Sequence, residues 1–264
     1  MKKRIGFVLG LFVVFVLVSG PVFAEEVAIP GTGDGVDVLS AIGNAFTQET
    51  KIEVLVPKSI GSGGAVKVVG TDRAILGRVA RGIKENEKEY GLEYKAVFEV
   101  PTAIFVNNSV TIDSLTEQQV LDIFSGKINT WKDVGGSDVP IVVIRREDKD
   151  SSLGNLKKTF PGFKDMVFTE NSTLAEKTFI MVAQIVNRPD SIGFGPLDVA
   201  NANNLKALSI NGKKPTDADY PYFGTIGLVY KAATLDKISK DFIDFALSAA
   251  RHDIIVQAGG RPVK

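Results

Sequence analysis

Short runs of β-branched and aromatic residues alternate along this chain with stretches whose apolar positions recur every three or four residues, the pattern of an α/β protein. Residues 27–29 predict a strand ended by Pro30 and Gly31, and Val38, Leu39, Ile42 and Phe46 mark one face of the helix that follows. Residues 52–56 predict the next strand, closed by Pro57, and a glycine-rich segment from Ser59 to Ala65 runs into a second helix. Strand, glycine loop and helix are therefore written twice between residues 27 and 70. Residues 96–107 predict a strand broken at Pro101 that crosses between lobes. Thr116 and Gln119 have the spacing of a capping box and open a helix through Val120, Leu121 and Phe124, ended by Gly126. Residues 141–144 form an unbroken apolar run, as in strands buried on both faces. Thr173 and Glu176 repeat the capping-box spacing and predict a helix to about Val186. Strands at 191–196, 205–210 and 223–230 and a helix over 239–250, with Phe242, Phe245 and Ala246 inward, complete the pattern.

The first residues stand apart from this pattern. Lys2, Lys3 and Arg4 precede an apolar run over residues 5–18, and Val22 and Ala24 are small residues where a signal peptidase reads. Residues 1–24 therefore read as a secretory signal peptide, and the chain is expected to be exported to the periplasm. As a membrane anchor the apolar run is short, and it ends in Gly20 and Pro21. The 31 basic and 31 acidic residues balance, so no nucleic-acid partner is indicated; loss of the leader makes the chain mildly acidic. Cysteine is absent and His252 is the one histidine, which excludes disulfides, thiol nucleophiles and a His-clustered metal site. His252, beside Arg251 and Asp253, reads as a surface residue, and no cofactor or metal is expected.

Four segments are candidates for chemistry. Gly31, Thr32, Gly33, Asp34 and Gly35 lie between a strand and a helix start, where free N–H groups and the helix dipole favour an anion. The alternative is a tight turn in which Asp34 caps the helix. Ser59, Ser62, Gly63 and Gly64 lie in the second glycine turn, which lacks the Gly-Lys-Ser/Thr end of a nucleotide-binding loop. Arg78 and Arg81, with Lys84 beyond, offer forked guanidinium groups suited to an oxyanion, or else form a solvated basic face. Arg146, Ser151 and Ser152 follow the apolar run at 141–144, and ligands of open α/β sheets collect at such carboxyl ends. A charged hairpin loop is the alternative there, given Glu147, Asp148 and Asp150.

The stretch from Leu115 to Gly136, followed by residues 140–145, resembles the periplasmic phosphate-binding proteins of ABC transporters. Residues 59–67 and 191–196 are similar to the glycine loop and the late Ile-Gly-Phe turn of that family. The resemblance implies a two-lobed type II periplasmic binding protein fold with the ligand in the cleft between lobes. Lobe 1 is then expected over residues 25–100 and 205–264 and lobe 2 over 101–204, with chain crossings near 100–106 and 197–210. It also implies an ABC permease in the membrane as partner, and a monomeric receptor. Ser62 falls on the family's hydroxyl donor, Arg146 on its anion-binding arginine, and Ser151 and Ser152 on the turn after it. The sequence departs from the family in three places. Asp34 stands where a hydroxyl is usual, Asp150-Ser151-Ser152 replaces a Ser-Gly-Thr turn, and Ala80 takes the place of an aspartate acceptor.

The expected function is non-catalytic capture of phosphate or a related oxyanion, with Arg146→Ala abolishing or greatly weakening binding in an otherwise folded protein. Burying an anion demands a partner for nearly every oxygen, which explains donors drawn from separate loops. An exported sensor or scavenger without a permease fits the same residues. A phosphoester hydrolase would need an activated nucleophile or a metal cluster, for which the sequence has no motif.

Overall fold

A computed structural model describes residues 26–263, and the leader read at residues 1–24 lies outside them. The chain opens with β1 (Glu26–Ala28), α1 (Val36–Thr50), β2 (Glu53–Leu55), α2 (Gly61–Gly70) and β3 (Leu76–Val79). The long strand β4 (Glu93–Val106) follows, then β5 (Ser114–Leu115), α3 (Glu117–Ser125), β6 (Val142–Arg146) and α4 (Ser151–Thr159). Next come β7 (Thr173–Ala175), α5 (Thr178–Asn187), β8 (Ser191–Pro196), α6 (Leu197–Ala202), β9 (Lys206–Ala207) and β10 (Ser209–Ile210). The chain ends with β11 (Phe223–Tyr230), α7 (Lys237–Leu247), α8 (His252–Gln257) and β12 (Arg261–Pro262).

Hydrophobic side chains gather in two main cores, and β4 joins them. Its first part pairs with β11 up to Pro101 opposite Phe223, and its last part pairs with β8 from Thr102 onward. The first core holds Ile29, Leu39, Phe46, Phe98 and Phe242, and the second Ile104, Phe124, Trp131, Phe194 and Tyr222. Phe46 meets Phe242 edge-on at 5.4 Å, a contact that contributes on the order of 1 kcal/mol beyond area burial. The central sheet runs β3-β11-β4-β8-β6-β7. α3 starts as its sequence predicts, with Thr116 accepting from the Gln119 N–H and the Gln119 side chain accepting from the Thr116 N–H.

Two expectations are corrected. Residues 205–222, assigned to the first lobe, pack in the second: Leu208, Ile210, Tyr220 and Tyr222 share a core with Ile104 and Phe194. β9 pairs with the end of β4, β10 pairs with β5, and the Tyr220 hydroxyl donates to the Thr102 carbonyl at 3.0 Å, so the chain returns near residue 222. Strand pairing across the sheet, invisible in local pattern, decides that boundary. The spacing of Thr173 and Glu176 is not a capping box. Residues 173–175 form β7 beside β6, and α5 begins later, after Lys177. Pairing with β6 satisfies the backbone there in place of helix bonds.

Candidate anion-binding site

The site lies where loops from both cores meet. β1 leads into Gly31, whose carbonyl accepts from the N–H groups of Ile60 and Gly61, so the first turn and the glycine loop lie side by side. A Cβ at Gly31 would stand 1.9 Å from the Arg78 carbonyl oxygen, so this approach of β1 to β3 requires glycine. Arg78 is fully buried and faces away from the cleft. Its Nε donates to the Thr32 carbonyl at 2.7 Å, Nη2 to Pro57 at 2.6 Å, and Nη1 to Ile29. Burial lowers its pKa to about 10, against the pull of Asp34. Arg78 thus ties the segments around the two glycine turns together through their carbonyls. Arg81 is engaged as well, paired with Glu87 at 2.6 Å. Neither arginine lines the cavity.

The cavity has a volume of about 50 Å³ and is lined by Thr32, Gly33, Asp34, Ser59, Gly61 and Ser62 on one side. Arg146, Glu147, Lys149, Asp150, Ser151, Lys177 and Thr178 line the other. A single water needs on the order of 10–15 Å³ of such space, so the cavity suits a ligand of a few heavy atoms. The segment read as a possible charged loop contains the start of α4, capped by Asp150, which accepts from the Leu153 N–H at 2.8 Å. The Gly61 N–H is taken by Gly31 and the Leu153 N–H by Asp150; the other first-turn N–H groups of α2 and α4 converge from opposite lobes. Ser62 and Ser151 meet there, hydroxyl to hydroxyl, at 3.1 Å. Gly63 and Gly64 lie in the first turn of α2 behind Ser62 and do not line the cavity. Gly35 sits outside it too, as the left-handed residue before α1.

Two hydroxyls are primed as donors by their other bonds. The Ser62 oxygen accepts from the Ala80 N–H at 3.1 Å, and the Thr178 oxygen accepts from Arg146 Nη1 at 3.0 Å, so each keeps its proton to give. Arg146 itself is buried, with Asp150 at 2.8 Å, Glu147 at 3.1 Å and the Ala175 carbonyl at 3.0 Å. Nη1 carries a second N–H beyond the one given to Thr178. Burial raises the Asp150 pKa against the opposing pull of Arg146. These contacts set the cost of Arg146→Ala, because the change would strand the buried Asp150 carboxylate.

Asp34 does not cap α1: the cap position is Gly35, and no side chain bonds there. Its carboxylate instead accepts a long bond, 3.4 Å, from Ser152 across the cleft, which takes the Ser152 hydroxyl away from the cavity. Burial, then Asp150 and Asp198, push the Asp34 pKa up to about 8, while Arg146 and Ser152 pull the other way. Asp34 is therefore neutral at pH 7 and can donate as well as accept. Sequence reasoning did not select Glu147, Lys149, Asp150, Lys177 or Thr178 as lining residues. Lys149 and Asp150 adjoin the chosen hydroxyls, so proximity in sequence was a usable signal for them; Thr178 gives none, because only the β6–β7 pairing brings it to Arg146. Among the described residues, no group of three or more His, Asp or Glu side chains is arranged to hold a metal ion.

Asp198, in the first turn of α6, is a buried carboxylate held only by weak backbone contacts, Asp37 and Val199 among them. Burial first, then Asp37, raises its pKa to about 7. The folded chain thus keeps a proton between about pH 4 and 7 that the unfolded chain gives up, so stability falls as pH rises through that window. Asp198→Asn should flatten this fall and stabilise the protein at pH 8 by on the order of 2–4 kcal/mol relative to the parent. Denaturant titrations of both proteins at pH 5 and pH 8 check it; an unchanged pH slope in the variant would show that Asp198 is ionised at little cost.

A family model described as a PBP superfamily domain matches residues 24–250. The chain belongs to the PBP superfamily. Among its relatives, the phosphate-binding protein PstS of Borreliella burgdorferi is 27% identical over 199 residues, covering 70% of this chain and 71% of that one. The phosphate-binding protein PstS of Bacillus subtilis is 24% identical over 251 residues, 90% of this chain and 81% of that one. A substrate-binding protein assigned to phosphate ABC transport in Clostridium perfringens, solved with bound phosphate, superposes with a TM-score of 0.80. It is 27% identical, and the match covers 91% of this chain and all of the other. The two-lobed type II fold expected from the sequence is thus the fold of this PBP superfamily member.

Proposed function

We propose that this protein is an exported, non-catalytic receptor that captures inorganic phosphate for an ABC permease. The convergence of the α2 and α4 first turns, Ser62, Ser151, Thr178 and Arg146 on one small cavity carries the reading. Phosphate binding by the relatives named above supports it. Each phosphate oxygen would meet N–H or O–H donors, as an anion removed from water requires. Arg146, Lys149 and Lys177 supply positive charge, Asp150 and Glu147 offset part of it, and a neutral Asp34 adds no repulsion. Thr32, Gly33, Asp34, Gly61, Ser62, Arg146, Ser151 and Thr178 are the contacts we assign.

Calorimetric titration of ligand-stripped protein with phosphate, sulfate, molybdate and phosphonates tests the reading. Phosphate is expected to bind most tightly among the inorganic anions, and a preference for sulfate would overturn the assignment. The Ser62–Ser151 contact joins the lobes in a closed arrangement. Small-angle scattering should therefore show a larger radius of gyration without ligand than with it, hinged where β4 crosses and where the chain returns near residue 222. Identical profiles, with binding confirmed by calorimetry, would mean a preformed rigid pocket.

A further inference from the structure

Of the residues that line the anion cavity, Lys149 and Lys177 are the two that stand exposed to water, so two ammonium groups mark its rim. Thr32, Asp34, Ser62, Arg146 and Asp150 are buried on its wall. The lysines come from separate loops on the side that Arg146 lines. Lys149 precedes Asp150, the cap of α4, and Lys177 holds the cap position of α5 without a side-chain cap bond. Among the described residues neither lysine has an ion-pair partner, whereas Asp148 beside Lys149 is paired with Lys157 at 3.6 Å. Glu176, also exposed, adjoins Lys177 but does not line the cavity.

The interior of the cavity casts little field beyond itself. The Arg146 charge is met by Asp150 at 2.8 Å and Glu147 at 3.1 Å, and the N–H and O–H dipoles around it act at short range. Acidic and basic residues balance over the chain, so the molecule as a whole does not attract an anion. Unpaired ammonium groups at the rim attract over roughly a Debye length, about 8 Å at physiological salt and about 30 Å at 0.01 M. We propose that Lys149 and Lys177 form an electrostatic funnel that sets the rate at which the oxyanion is captured, while the buried donors hold it. This rests on the phosphate reading of the cavity. Lysine suits the task, because a compact, strongly hydrated charge on a flexible stem attracts without imposing a geometry. Attraction scales with ligand charge, so the funnel favours doubly charged over singly charged oxyanions of the same size.

Rapid mixing of ligand-stripped protein with radiolabelled phosphate tests this, at phosphate concentrations low enough that encounter limits the rate. Lys149→Glu, Lys177→Glu and the two together are the variants. Lys164→Glu, at an exposed position beyond the far end of α4, controls for overall charge. A carboxylate at residue 149 or 177 stands beside a helix N-terminus, which the dipole favours, so the fold is kept. Lys149→Gln and Lys177→Gln give the neutral step between. At about 10 mM salt each reversal is expected to slow association about threefold or more and the pair about tenfold or more. At about 0.5 M salt every variant should lie within about twofold of the parent. A loss that lies in dissociation and persists at high salt overturns the funnel, because the lysines then touch the bound anion. Association that no reversal slows, or that Lys164→Glu slows as much, overturns it too. A parent that takes up no phosphate at either salt concentration overturns the phosphate reading itself, and the funnel with it.

Discussion

Replacing Arg146 by glutamine together with Asp150 by asparagine is expected to give a folded protein whose phosphate dissociation constant is raised by at least about 100-fold. The paired change is needed because the guanidinium and the Asp150 carboxylate are both buried and 2.8 Å apart. Removing the arginine alone would leave Asp150 and its neighbours uncompensated, at a cost of about 3–5 kcal/mol, and loss of binding could then reflect loss of fold. Asparagine keeps an oxygen for the Leu153 N–H and so still caps α4. Glutamine keeps the side-chain body but loses the planar fork and its charge. Calorimetry reads the affinity and thermal unfolding reads the fold. A double variant that binds within about threefold of the parent would place the anion away from Arg146.

The second large effect concerns pH and the choice of oxyanion. In the closed arrangement burial pushes the Asp34 pKa up to about 8, so below that pH it is a neutral carboxyl at the cavity wall. A bound anion raises that pKa further, and binding above pH 8 then takes up a proton. Sulfate, which carries no proton of its own, should therefore lose about tenfold in affinity per pH unit above 8. Phosphate still carries a proton there and can share it with the ionised Asp34, so its affinity should fall less steeply. The phosphate-over-sulfate preference should consequently widen from pH 7 to pH 9.5 in the parent. In Asp34→Asn it should stay level, because the amide donates to either anion at every pH. Phosphate ionises alike in both experiments, so the difference between parent and variant isolates Asp34. Parallel curves for parent and variant would remove Asp34 from the selectivity mechanism. Burial among Asp150, Asp198 and Arg146 makes Asp34 a group that switches role near pH 8.

Much of the architecture was legible because it depends on short-range periodicity. The face of α1, the Thr116 cap of α3 and the buried run of β6 follow from which neighbours a side chain meets within its own element. Two turn-and-helix units at residues 31–35 and 59–65 were legible for the same reason, since glycine spacing dictates where a backbone can turn toward a ligand. The family-like stretch from Leu115 to Gly136 set the fold class, although most of it packs the second lobe and does not touch the anion cavity.

What the sequence by itself determined, then, is the order of elements, the two glycine turns, and the presence of Arg146 and paired serines after a buried strand. Only the tertiary structure decided which arginine faces the cleft. Arg78 and Arg146 are both buried arginines at or near strand ends, and nothing in their spacing separates them. Three backbone carbonyls from Ile29, Thr32 and Pro57 claim one, while Asp150 and Thr178 hold the other at the cavity wall. The same holds for residues 205–222, whose lobe is set by strands paired with β4 and β5, and for Asp34, whose charge depends on carboxylates far away in sequence. Local pattern governs what an element is, because helix and strand bonds close within a few residues or along one edge. Partners brought together from distant segments govern charge, donor direction and lobe membership, because desolvation and Coulomb forces act through space.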